Sequence, residues 1–85
     1  MKAIFELVKE RRDWIDMSEL ADLCKSRKVL LNEEVPKPND LERELRQILG
    51  ESGEYAEEGL ALDGYVRRIG WDLVFMVRAY PKGVA

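Results

Sequence analysis

Apolar residues recur at helical spacing in three stretches of the chain. Ile4, Leu7 and Val8, with Phe5 beside them and Lys9, Glu10, Arg11 and Arg12 on the flank, predict a first helix over residues 2–12. Ile15 and Leu20 are spaced as a hydrophobic staple around Asp16, an N-cap residue with Glu19 placed as its capping-box partner. A second helix is therefore predicted over residues 17–27. Its inward stripe is Met17, Leu20, Ala21 and Cys24, and Lys25, Arg27 and Lys28 suit the negative end of its dipole. Asn39 as cap, Glu42 as its partner and Gly50 as the stop predict a third helix over residues 40–49, with Leu41, Leu45, Ile48 and Leu49 turned inward. Trp14, between the first two helices, is placed for the core.

Residues 29–39 carry Val29-Leu30-Leu31 and Pro36-Lys37-Pro38, a pattern that bars helix and predicts an extended connection with a short strand. Residues 51–59 are polar and read either as a loop or as a frayed extension of the third helix. Over residues 60–80 the β-branched and aromatic residues crowd together and predict a hairpin. A two-residue type II′ turn at Gly70-Trp71 pairs Ile69 with Asp72, Arg67 with Val74, Tyr65 with Met76 and Asp63 with Arg78. Leu62, Val66, Phe75, Val77 and Ala79 then share one face below Arg68 and Leu73, and Asp63 meets Arg78 as an opposite charge. A turn at Asp63-Gly64 is the alternative and leaves almost no first strand. Leu20, Leu45, Val66 and Phe75 are expected among the least exposed side chains.

Length and charge sharpen this picture. Eighty-five residues suffice for one domain with one small core, and 46% hydrophobic residues are too many for a disordered chain. The net charge of −3 is unevenly spread: residues 32–63 hold three basic and ten acidic side chains, whereas residues 64–85 hold four basic and one acidic. An anionic ligand would therefore meet the C-terminal segment. The single cysteine, Cys24, allows no internal disulfide and fits a reducing cytoplasm, and no apolar run approaches a membrane helix, so a cytoplasmic, membrane-free protein is expected.

Catalysis is hard to build from these residues. Histidine is absent, Cys24 has no partner for a nucleophilic dyad or a zinc site, and Gly50-Glu51-Ser52-Gly53 lacks the lysine of a phosphate loop. The pairs Glu33-Glu34 and Glu57-Glu58 read as solvated surface. No catalytic residue, metal site or cofactor is expected.

Helix, short extended Trp14-Ile15, helix, helix and long hairpin form an α+β order that resembles the winged helix-turn-helix domains: three helices followed by a C-terminal β-hairpin. Trp14-Ile15-Asp16-Met17-Ser18-Glu19-Leu20-Ala21 looks like the entry to their second helix, and Asp40-Leu41-Glu42-Arg43-Glu44-Leu45 like the start of their recognition helix. Family members join those helices by a tight turn, whereas here residues 29–39 intervene. The resemblance implies a small DNA-binding regulator of transcription, with Arg43, Arg46 and Gln47 facing double-stranded DNA from helix 3, and Arg67, Arg68 and Trp71 facing it from the hairpin tip. The other function class is a protein-binding module, a small inhibitor or adaptor, or a homodimer. It would act through Glu33 and Glu34 in the acidic middle segment or through Tyr65, Met76 and Tyr80 on the outer hairpin face.

Overall fold

The computed structural model describes residues 2–57 and 60–81. Three helices lie against one face of an antiparallel sheet, an α+β arrangement: α1 is Lys2–Arg11, β1 Ile15–Asp16, α2 Met17–Arg27, α3 Pro38–Leu49, β2 Glu54–Glu57, β3 Leu60–Ile69 and β4 Asp72–Pro81. The sheet order is β1-β4-β3-β2, four strands where a single hairpin was expected.

The extra strand is β2. Glu54-Tyr55-Ala56-Glu57 offers one strong strand former, so its own sequence does not announce it. Pairing with β3 from Glu54↔Asp63 to Glu57↔Leu60 supplies the structure instead. Ahead of it, the Ser52 hydroxyl donates to the Leu49 carbonyl and accepts from the Glu54 amide, both contacts within 3.3 Å, turning the chain from helix to strand.

α3 also starts earlier than expected. Pro38 is its first residue, because the amide that proline lacks has no intrahelical partner at that position. Asn39 therefore does not cap it; Asp40 accepts the Lys37 amide at 3.5 Å, the return half of a capping box. α2 begins as predicted, with Asp16 Oδ1 accepting the Glu19 amide at 2.8 Å. Between the two, Leu31 and Glu34 bond to each other through both backbone groups around Asn32 and Glu33, which adopt φ of 52° and 69°.

The β3–β4 register is the one that a turn at Gly70-Trp71 dictates, from Ile69↔Asp72 through Asp63↔Arg78. Gly70 has φ of 61° and Trp71 has no positive φ, the signature of a type II′ turn. Every second residue of the ladder faces the helices, and Leu62, Phe75, Val77 and Ala79 join Ile4, Val8, Ile15, Leu20, Cys24, Leu41 and Leu45 in the core. Val66 does not. It is 42% exposed, because the helices end short of it, and Trp14 lies half-buried on the opposite face of the sheet rather than in the core.

Gly64 decides how closely α3 can approach. A methyl group there would stand 2.4 Å from Leu49 Cδ1 and 3.1 Å from Phe75 Cζ, both core side chains. Gly64→Ala is expected to destabilise the protein by about 1–3 kcal/mol by overpacking. The cost should shrink in a Leu49→Ala background, where the room exists; equal denaturation midpoints for wild type and Gly64→Ala would show that α3 does not pack here.

Candidate functional site

β1 reaches only Val77 and Met76 of β4, and β2 reaches β3 only as far as Asp63. The Gly64 amide still donates to the Gly53 carbonyl at 2.8 Å, but from Tyr65 to Ile69 and from Asp72 to Val74 β3 and β4 have only each other as strand neighbours among the described residues. The sheet narrows to a two-stranded tip that projects past its neighbours and past the core. Trp71 is 95% exposed there, Leu73 73%, Ile69 52% and Val66 42%. Large apolar side chains are thus exposed on both faces of one projection, Val66 and Leu73 on the face that carries the helices and Ile69 on the other.

Charge on the tip is basic. Asp72 is the one carboxylate between residues 64 and 81. Arg67 and Arg68 are exposed, and no ion pair engages either among the described residues. Arg68 Nε donates to the Gly70 carbonyl at 3.2 Å, which folds this guanidinium across the turn beside Trp71. The arrangement presents an aromatic anchor with flanking cations.

The arginines of α3 stand differently. Arg43 pairs with Asp40 at 3.1 Å, and Arg46 pairs with Glu42 at 3.3 Å while its guanidinium lies 5.1 Å from the centroid of the Phe75 ring. Both pairs are more than a third exposed, so each adds little stability. Their consequence is electrostatic: with Glu44, this helix surface carries more carboxylates than guanidinium groups. Gln47 is exposed beside them.

On the outer face of the hairpin, Trp14 covers what the sequence left open. Its ring meets Tyr65 edge-on at 4.5 Å, Arg78 stacks over it at 4.7 Å, and Arg78 also pairs with Asp63 at 3.1 Å. Met76 is half-buried on this face, and the side chains of Tyr80 and of the Glu57-Glu58 pair lie outside the described residues. Glu33 and Glu34 are exposed at the tight turn between α2 and α3, away from the Trp14 stack.

A groove of about 260 Å³ lies between the base of the tip and the starts of α2 and α3. Leu73, Val74 and Phe75 form one wall, Asp16, Met17 and Ser18 a second, and Pro38, Asn39 and Glu42 a third. It follows the open edge of β4, where β1 stops opposite Met76. Cys24 is buried in the core, and burial pushes its thiol above the usual range, so it stays protonated at neutral pH. Among the described residues no three His, Cys, Asp or Glu side chains converge as metal ligands.

Comparison with known protein families, curated proteins and solved structures finds no match to this chain.

Sequence reasoning placed Arg67, Arg68 and Trp71 at the turn but missed Val66, Ile69 and Leu73 as their exposed neighbours. The available signal was the brevity of Trp14-Ile15, too short a strand to cover the far half of β4. The two tryptophans should separate cleanly. Trp14→Ala is expected to cost about 1–3 kcal/mol through the lost ring and guanidinium contacts, and Trp71→Ala less than about 0.5 kcal/mol. Chemical denaturation of the two variants checks this; a large loss at Trp71 would mean that it packs on the fold.

Proposed function

We propose that this chain is a non-enzymatic binding module whose contact surface is the β3–β4 tip and whose partner is a protein. The observation that carries the reading is the exposure of Trp71, 95%, inside an apolar cluster flanked by Arg67 and Arg68. Tryptophan and arginine are the side chains that most often dominate protein interfaces, and a desolvated aromatic anchor outweighs a rim charge. The hairpin ladder holds the anchor in place before contact, which lowers the ordering cost of binding.

A DNA-binding regulator is the second reading, and the order of the elements supports it. The helices precede a long hairpin whose last strand pairs with the short β1, and α3 lies beside that hairpin at Arg46 and Phe75. On this reading Arg67 and Arg68 would contact phosphates, and Arg43, Arg46 and Gln47 would face the groove of the duplex. The carboxylates paired with Arg43 and Arg46 weigh against it, since phosphate would have to displace Asp40 and Glu42. Fold alone does not assign the function.

A photocrosslinking residue placed at position 71 or at position 47 in the producing cell distinguishes the two. The binding-module reading expects protein adducts from position 71 that exceed those from position 47. Nuclease-sensitive adducts from both positions, lost in Arg67→Ala/Arg68→Ala, would overturn it in favour of DNA.

A further inference from the structure

The tip and the groove beside it are complementary. Trp71 is 95% exposed, so it does not fill the groove of its own chain. The groove has apolar walls at Met17, Leu73 and Phe75 and carboxylates at Asp16 and Glu42. We propose that the partner of the tip is a second copy of this chain. Trp71 of each copy enters the groove of the other, and Arg68, which pairs with Leu73 on the face of the ladder that Phe75 shares, meets Asp16 and Glu42 across the interface. This rests on the reading of the tip as a protein contact and names its partner.

Three features fit a reciprocal dimer. The first is charge: the Arg68 guanidinium, on the face of the ladder that Leu73 and Phe75 share, is matched by two carboxylates at the groove. Each carboxylate already has one partner, the Glu19 amide for Asp16 and Arg46 for Glu42, and each keeps acceptor sites for another. The second is size. About 260 Å³ equals roughly eight water volumes, room for one indole side chain, whose N–H could donate to either carboxylate.

The third is spacing. Trp71 and the Phe75 wall of the groove are separated along β4 by about 13 Å at strand rise. Two copies exchanging tips would then be related by a two-fold axis near the midpoint, at Leu73. An isologous interface sets residues at its axis against their own symmetry mates. Leu73 is 73% exposed in the single chain, an apolar side chain with nothing over it, at that midpoint. Two tryptophans burying about 150–250 Å² each, with as much surface covered opposite them, give roughly 600–1,000 Å², the range of weak, transient interfaces. The association should therefore be reversible and concentration-dependent.

Sedimentation equilibrium over a wide concentration series tests this, run alongside the fluorescence of a Trp14→Phe variant in which Trp71 is the remaining tryptophan. Wild type is expected to shift from monomer to dimer, and Trp71 emission to shift to the blue over the same concentrations. Trp71→Ala should stay monomeric. Asp16→Asn/Glu42→Gln, which keeps a capping side chain and the groove shape, should raise the dissociation constant several-fold, with its circular dichroism unchanged. A chain that stays monomeric at the highest concentration, that dimerises with Trp71 emission still that of an exposed indole, or that dimerises equally well as Trp71→Ala overturns the proposal. A monomer that still yields protein adducts from position 71 would sink the dimer alone and leave the binding-module reading in place.

Discussion

The register of the β3–β4 ladder governs the molecule. Side chains alternate across a strand, so a slip by one residue would carry Leu62, Phe75, Val77 and Ala79 out of the core and put Asp63, Tyr65 and Arg78 in their place. Gly70 fixes that register by supplying the positive φ of a type II′ turn. The same ladder sets the position of Gly64 beneath Leu49, which seats α3, and the pairing of Met76 and Val77 with β1, which ties the start of α2 to the sheet. Core and exposed tip are thus two ends of one hairpin. Its base is covered by helices and by Trp14, and its tip is left bare.

Charge follows the same division. An acidic chain with basic patches can neutralise its arginines internally or hold them clear of its carboxylates, and this chain does both. On α3, the carboxylates three and four residues before Arg43 and Arg46 take up their charge. At the tip, geometry separates Arg67 and Arg68 from the acidic residues 32–63. Screening over about 8 Å at physiological salt leaves little of the acidic segment's field to reach a projecting turn. On the proposed reading, an apolar anchor beside exposed cations suits a partner with an acidic rim and an apolar pocket better than it suits a bare phosphate backbone.

Much of this was legible in the residues. The spacing of Leu20, Leu45 and their neighbours gave the helices, Asp16 marked the start of α2, and Gly70 gave the turn and hence every pair of the ladder. What the sequence hid was set by what each segment pairs with or packs against and by where each helix begins. Glu54-Tyr55-Ala56-Glu57 becomes strand only because β3 offers an edge, and Pro38 starts a helix although the Pro-Lys-Pro run looks like a barrier to one. Val66 has the alternation of a core residue, yet how far the helices extend over the sheet decides its exposure, and that length is not written in Val66 or its neighbours. Trp14 likewise looked like core until the sheet supplied Tyr65 and Arg78 on the other side.

An ordered hairpin tip standing outside the core is the feature on which both the proposed binding surface and its proposed partner depend. Amide hydrogen exchange measured residue by residue tests it most directly, in wild type and in Gly70→Val, where a β-branched side chain resists positive φ. Amides that bond across the ladder within residues 64–69 and 72–75 should exchange slowly in wild type. They should lose protection in Gly70→Val, while those of α2, α3 and the lower ladder keep theirs. Rapid exchange throughout the wild-type tip, or a tip left equally protected when Gly70 is replaced, would contradict it.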